Sequence, residues 1–180
     1  MNLQEQQIKD QKYRMQAEKL LANPEKPDDR ARAYLTLGCI CEHESNWEAA
    51  ITNYSRALAA NPQDISLRYF CNNNLGYSLI QLGRFDEAEK YCETAIEVDD
   101  EKHNAHKNLG LARQGQGRWI DAAFCFARAS RLSPSDPRSW WHLEGLLKTQ
   151  PQLLSQSAEL RRKVEWLRDM IEGTGCPRFH

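Results

Sequence analysis

The sequence predicts an all-α protein built from repeated pairs of helices, on three observations. The pair Leu-Gly occurs at Leu37-Gly38, Leu75-Gly76 and Leu109-Gly110, first 38 and then 34 residues apart. Each pair is followed at fixed distances by an aromatic (Trp47, Phe85, Trp119) and an alanine (Ala50, Ala88, Ala122). A bulkier residue (Tyr54, Cys92, Phe126) and a second alanine (Ala57, Ala95, Ala129) complete each copy. Around the Leu-Gly pairs the packing residues recur at i, i+3, i+4 and i+7, the spacing of one helical face.

The elements follow in chain order. Residues 1–27 are charged and helical in tendency, with Ile8, Met15, Leu20 and Leu21 as the main apolar positions. They read either as a helix capping the first repeat or as a loose tail. Asn23-Pro24 stops the segment, and Lys26-Pro27-Asp28-Asp29 reads as a loop ending in a helix N-cap. The repeats occupy about 31–64, 69–102 and 103–136, inside a domain of 28–172. In the first, Tyr34, Leu37, Gly38 and Cys41 form the packing stripe, Ser45-Asn46 turns the chain, and Asn61-Pro62 ends the second helix. Ile65 to Arg68 are four extra residues, one helical turn added to the next leading helix, with Asp64 as its N-cap. Gly83 and Gly117 mark the corresponding turns of repeats two and three. Asp136-Pro137 is a helix start. The fourth unit, 137–172, is degenerate: Trp140, Leu143 and Leu147 keep the columns, but Glu144 takes the glycine slot and Gln156 the alanine slot. Its second helix reads as one long element over about 152–172, striped by Leu153, Leu160, Val164, Leu167 and Ile171. Residues 173–180 read as a flexible tail.

This set of Leu-Gly, aromatic and Ala columns at a period near 34 resembles the tetratricopeptide (TPR) repeat. The resemblance implies a right-handed superhelix, an α-solenoid of stacked antiparallel helix pairs with capping helices at both ends. It also implies a protein-interaction scaffold or adaptor, without catalytic residues or cofactor, that holds a peptide or partner segment in its concave groove. In such arrays the leading helices line that groove. Carried onto this chain, the groove positions include Arg32, Asn73, Asn74, Tyr77, Asn104, Lys107, Asn108, Arg138, Trp141 and His142, with His43 and Phe70 beside them. Asn74 and Asn108 share a column, resembling the asparagine ladder with which some TPR proteins hold peptide main chain; an amide offers both donor and acceptor. TPR domains that clamp the carboxylate tail of heat-shock chaperones use Lys and Asn, then Asn, then two basic residues on successive leading helices. Asn108, Arg138 and His142 match that pattern, and Asn73 and Tyr77 depart from it.

Charge and composition limit the functional classes. A net charge of −1 over 180 residues gives no global argument for nucleic acid or an anionic membrane. The groove positions carry cations and no carboxylate, so a basic groove is expected on an acidic body, suited to an acidic segment or a C-terminal carboxylate. Trp47, Phe85 and Trp119 are expected in the core. The polar N-terminus has no apolar signal stretch and no apolar run spans a bilayer, which with six scattered cysteines predicts a cytoplasmic protein. Cys39, Cys41 and His43 do not converge as metal ligands, because Cys41 points about 200° from Cys39 on the helical period. Cys176 and His180 offer no better set. Two alternatives to an adaptor remain: a dedicated chaperone for a secreted or assembling client, and a self-associating module. The latter would form a homodimer through the C-terminal helix, where Trp166 and Met170 adjoin the main stripe.

Overall fold

The computed structural model describes residues 3–173. Beyond Gly173, the expected tail, with Cys176 and His180, lies outside the described residues. Ten helices and no strand are found among them. They are α1 (Leu3–Ala22), α2 (Asp29–His43), α3 (Trp47–Ala59), α4 (Ile65–Gln81), α5 (Phe85–Val98), α6 (His103–Gly115), α7 (Trp119–Leu132), α8 (Pro137–Thr149), α9 (Leu153–Gln156) and α10 (Ala158–Gly173). The helices fall into two compact units divided between Val98 and Asp99.

In the first unit α2 pairs with α3 and α4 with α5. The pairing rests on glycines. A Cβ placed on Gly76 would lie 2.7 Å from Cys92 Sγ, so only a bare backbone lets the helices approach this closely. Ala50, Tyr54 and Ala57 of α3 are fully buried, as are Ala88, Cys92 and Ala95 of α5. The tight turn between α2 and α3 puts Ser45 at φ 55°, where the corresponding turn of the next pair has Gly83 at φ 71°. Asn46 caps α3, accepting from the Ala49 N–H at 3.3 Å. Asp64 caps α4 at 2.7 Å from the Ser66 nitrogen, and α4 carries the extra turn read from Ile65 to Arg68. Asp28 occupies the N-cap position of α2 without capping it. Its carboxylate instead accepts the backbone N–H groups of Gln63 and Asp64, at 2.7 and 3.1 Å, tying two loops together.

The N-terminal segment is a helix packed on α2. Two of its apolar residues face away from the core, Ile8 and Met15 being 64% and 67% exposed, while Leu20 and Leu21 are half-buried. Asp10 meets His43 at 3.0 Å, Arg14 meets Glu44 at 2.8 Å, and Ala17 is buried.

In the second unit α6 pairs with α7 and α7 with α8. A Cβ on Gly110 would lie 2.6 Å from Phe126 Cε1, repeating the glycine contact. Leu153, Leu160, Val164, Leu167 and Ile171 join the core built on Phe126, Trp140 and Leu143. The long helix expected over 152–172 is broken. Ser157 adopts φ −136°, ψ 108°, and its hydroxyl accepts from the Leu160 N–H at 3.1 Å, starting α10 afresh.

The aromatic column also differs from expectation. Trp47 and Phe85 are half-buried and Trp119 is 37% exposed. Each opens a trailing helix and stays partly in water, while the alanines and Tyr54 or Phe126 fill the space between helices.

Candidate functional site

In the first unit the expected groove residues are drawn into a polar cluster that joins two helix pairs. Asn74 Nδ2 lies 3.5 Å from the Tyr54 hydroxyl and 3.7 Å from Cys39 Sγ. The Tyr54 hydroxyl in turn donates to Cys39 Sγ at 3.5 Å. Asn73 is buried at 7% exposure and donates to Asn74 Oδ1 at 2.9 Å. Nearby, Ser78 donates to Glu42 Oε1 at 3.0 Å. Burial pushes the Tyr54 phenol, the Cys39 thiol and the Glu42 carboxyl above their usual ranges, and raises the Cys71 thiol to about 12. Tyr77 sits edge-on to Trp47, with ring centroids 5.9 Å apart. Phe70 is 42% exposed and packs edge-on to Tyr69.

In the second unit α6 and α8 bring basic side chains together. Lys107, on α6, is 9% exposed. Burial holds its ammonium below the usual lysine range; the Arg138 charge works the same way, and Asp136 opposes both. His142, on α8, stacks on Phe126 at 5.4 Å and is also depressed, by burial first and then by Lys107 and Arg138. Arg138 is exposed and grips Asp136 through Nε at 2.9 and 3.1 Å. His103 Nε2 also meets that carboxylate, at 2.9 Å. Asn108 is buried at 2% exposure, and Asn104 is half-buried. Trp141 lines a concavity of about 390 Å³ with Arg138, His142, Glu144, Gly145 and Lys148.

Two expectations change. The cations are not uncompensated: Arg32 lies 3.7 Å from Asp64, His43 pairs with Asp10, and Arg138 with Asp136. Each carboxylate sits in a loop, at a cap or on α1, off the leading-helix columns, which is why the column reading missed it. The string Asp136-Pro137-Arg138 did carry a signal, since a capping carboxylate lies within reach of an arginine two residues on. The asparagine column, expected to line an open groove, is partly covered, with Asn74 half-buried. Asn108 is covered and Asn74 spends its amide on Tyr54 and Cys39. Glu42 and Ser78 were not expected in any site.

A family model described as "Tetratricopeptide repeat" matches residues 31–64, and another of that description matches residues 70–135. The chain belongs to the tetratricopeptide repeat family. Repeats of this family typically serve as non-enzymatic protein-interaction scaffolds. Human tetratricopeptide repeat protein 7B is 33% identical over 100 residues, covering 56% of this chain and 11% of that protein. The chain therefore spans about a ninth of that relative. Among solved structures, the second TPR domain of human RPAP3 in complex with the HSP70 peptide SGPTIEEVD is 26% identical. It has a TM-score of 0.60 and covers 67% of this chain and 98% of that domain. The first TPR of Spaghetti (RPAP3), bound to the HSP90 peptide SRMEEVD, is 19% identical with a TM-score of 0.62, over 69% of this chain and 95% of that one. The all-α class read from the repeats is the class of these structures. No helix among the described residues is long and apolar enough to cross a membrane.

Proposed function

We propose that this TPR module is an adaptor that holds an acidic partner segment ending in a free carboxylate against the α6/α8 face. The observation that carries the reading is the meeting of Lys107, His142 and Arg138. Lys107 and His142 are held below their usual pKa by burial and by neighbouring cations, Arg138 in both cases, so an arriving carboxylate relieves repulsion as well as forming charge-assisted hydrogen bonds. Asp136 occupies one side of Arg138 and leaves Lys107 and His142 as the groups with most to gain. The RPAP3 domains, bound to peptides ending in Glu-Glu-Val-Asp, support the same ligand chemistry.

The test is fluorescence anisotropy with labelled SGPTIEEVD, carrying either a free or an amidated C-terminus. The free acid should bind at least about tenfold tighter than the amide. Lys107→Met, which keeps the buried stem, and Arg138→Ala should each remove most of that difference. Equal binding of acid and amide, or undiminished binding by both variants, would overturn the reading.

A further inference from the structure

A second concave surface lies between α7 and α10. Phe124, Ala127, Arg128 and Arg131 recur at i, i+3, i+4 and i+7, and so share one face of α7. Glu159, Lys163 and Trp166 follow i, i+4 and i+7 on α10. With Leu167 they enclose about 400 Å³. The floor is apolar: Ala127 and Leu167 are 3% and 1% exposed, and Phe124 is half-buried. Trp166 stands over it, 51% exposed, beside the buried Leu167.

The rim is cationic. Lys163 reaches Glu159 at 3.3 Å, and Arg128 reaches Asp100 and Glu101 at 3.6 and 3.4 Å. Arg131 is exposed and pairs with no carboxylate among the described residues. An apolar floor, one exposed indole and Arg131, the lining cation that no described carboxylate neutralises, define what fits by charge complementarity.

We infer that this cleft docks an acidic segment of a partner protein, which seats one large apolar side chain beside Trp166 and lays carboxylates along Arg131 and Lys163. The volume admits a side chain or two, and no whole helix. A flat anionic membrane suits the surface poorly, because Glu165 and Asp169 are exposed on the same helix and would face the lipid charge. The inference does not rest on the α6/α8 reading, since the two surfaces share no residue.

The probe is the peptide Asp-Glu-Asp-Leu-Glu-Asp-Glu, acetylated and amidated so that it offers no terminal carboxylate to Lys107. Binding is followed by the indole N–H resonance of Trp166, assigned with Trp166→Phe, and by anisotropy of a labelled copy. A saturable shift of that resonance is expected. Trp166→Ala should weaken binding about tenfold, Arg131→Glu with Lys163→Glu more, and serine in place of the peptide's leucine about tenfold. Lys107→Met with Arg138→Ala should leave it unchanged. The three cleft residues are exposed, and circular dichroism checks that their variants stay folded. The inference is overturned if the Trp166 resonance does not move, if Trp166→Ala or the serine peptide binds undiminished, or if the Lys107 and Arg138 changes abolish binding. Trp166-dependent binding to phosphatidylserine vesicles without peptide binding would also overturn it, in favour of a membrane.

Discussion

Gly38 lies directly under the Tyr54 ring: a Cβ added to the glycine would come 2.6 Å from Tyr54 Cδ1. The ring is fully buried and its hydroxyl is held by hydrogen bonds to Cys39 and Asn74, so it has little freedom to retreat. Gly38→Ala should therefore destabilise the protein by about 1–3 kcal/mol, through overpacking. Gly110→Ala, against Phe126, should do the same. Gly145→Ala is the control: nothing lies within 4 Å of its Cβ position, and the helix interior favours alanine. It should be neutral or raise stability by up to about 1 kcal/mol, as thermal melts would show.

Ser45 holds φ 55° at a turn position where the two following pairs have glycine. Ser45→Gly removes the Cβ clash of the left-handed conformation and should stabilise by up to about 1 kcal/mol, after the greater chain entropy that glycine gives the unfolded state is counted. Chemical denaturation with an unchanged m-value is the measurement.

Glu42 is pushed up by burial, with the Ser78 hydroxyl opposing. A carboxyl whose folded pKa is raised favours folding fully below its unfolded value of 4.5, and this contribution is lost as pH rises through the folded value. Glu42→Gln should thus raise the melting temperature at pH 7, with the gain shrinking toward pH 4. A constant difference across that range would show that the carboxylate's desolvation is not the cause.

Asp136 behaves oppositely. The Arg138 hydrogen bond holds its carboxyl well below the ordinary 3.8. Its contribution is complete above 3.8 and is lost as pH falls further. Asp136→Asn keeps the helix cap and removes the charge, and should cost about 1–3 kcal/mol at pH 7. The difference from the parent chain should narrow below pH 4 in pH-resolved melts.

His142 gives the proposed peptide site a pH signature. Its pKa is depressed by burial and by Lys107 and Arg138, and a bound carboxylate favours the protonated ring. Affinity for SGPTIEEVD should rise as pH falls from 7.5 to 5.5, and His142→Gln should flatten the profile. A flat profile in the parent chain would place the ligand away from this ring.

The repeat columns made the helix pairs legible because a glycine under Tyr54 or Phe126 is a local size rule that recurs at a fixed spacing. The extra turn of α4 was legible for the same reason, as four residues ahead of a column with Asp64 to cap them. The break at Ser157 was not, because the apolar stripe runs through it unbroken and only the serine's own capping bond reports it. The columns give the helix on which each expected groove residue lies, and not how far it is covered. A helical wheel gives the direction of Asn74 and Asn108, but not the neighbours that cover them, and Cys39 and Tyr54 are 35 and 20 residues from Asn74 in sequence. The carboxylates on Arg32, His43 and Arg138 were hidden for a related reason, since caps and loops lie outside any column.

The adhesion of α1 has a consequence for how the first unit loosens. Of its described residues only Asp10 and Ala17 are buried, and its polar contacts include Gln6 and Asp10 on His43 of α2 and Arg14 on Glu44 just beyond it. A terminal element in a stacked array is secured by its single interface, and here two ion pairs that are partly in water contribute to it. Added salt therefore acts on α1 before it acts on the glycine-packed pairs. Fraying starts there, and hydrogen exchange along α1 should quicken with ionic strength while the Gly38–Tyr54 contact stays shut. Undocking of α1 uncovers Leu35, Thr36 and Cys39, so ionic strength becomes a dial on how much of the first leading helix a partner can reach.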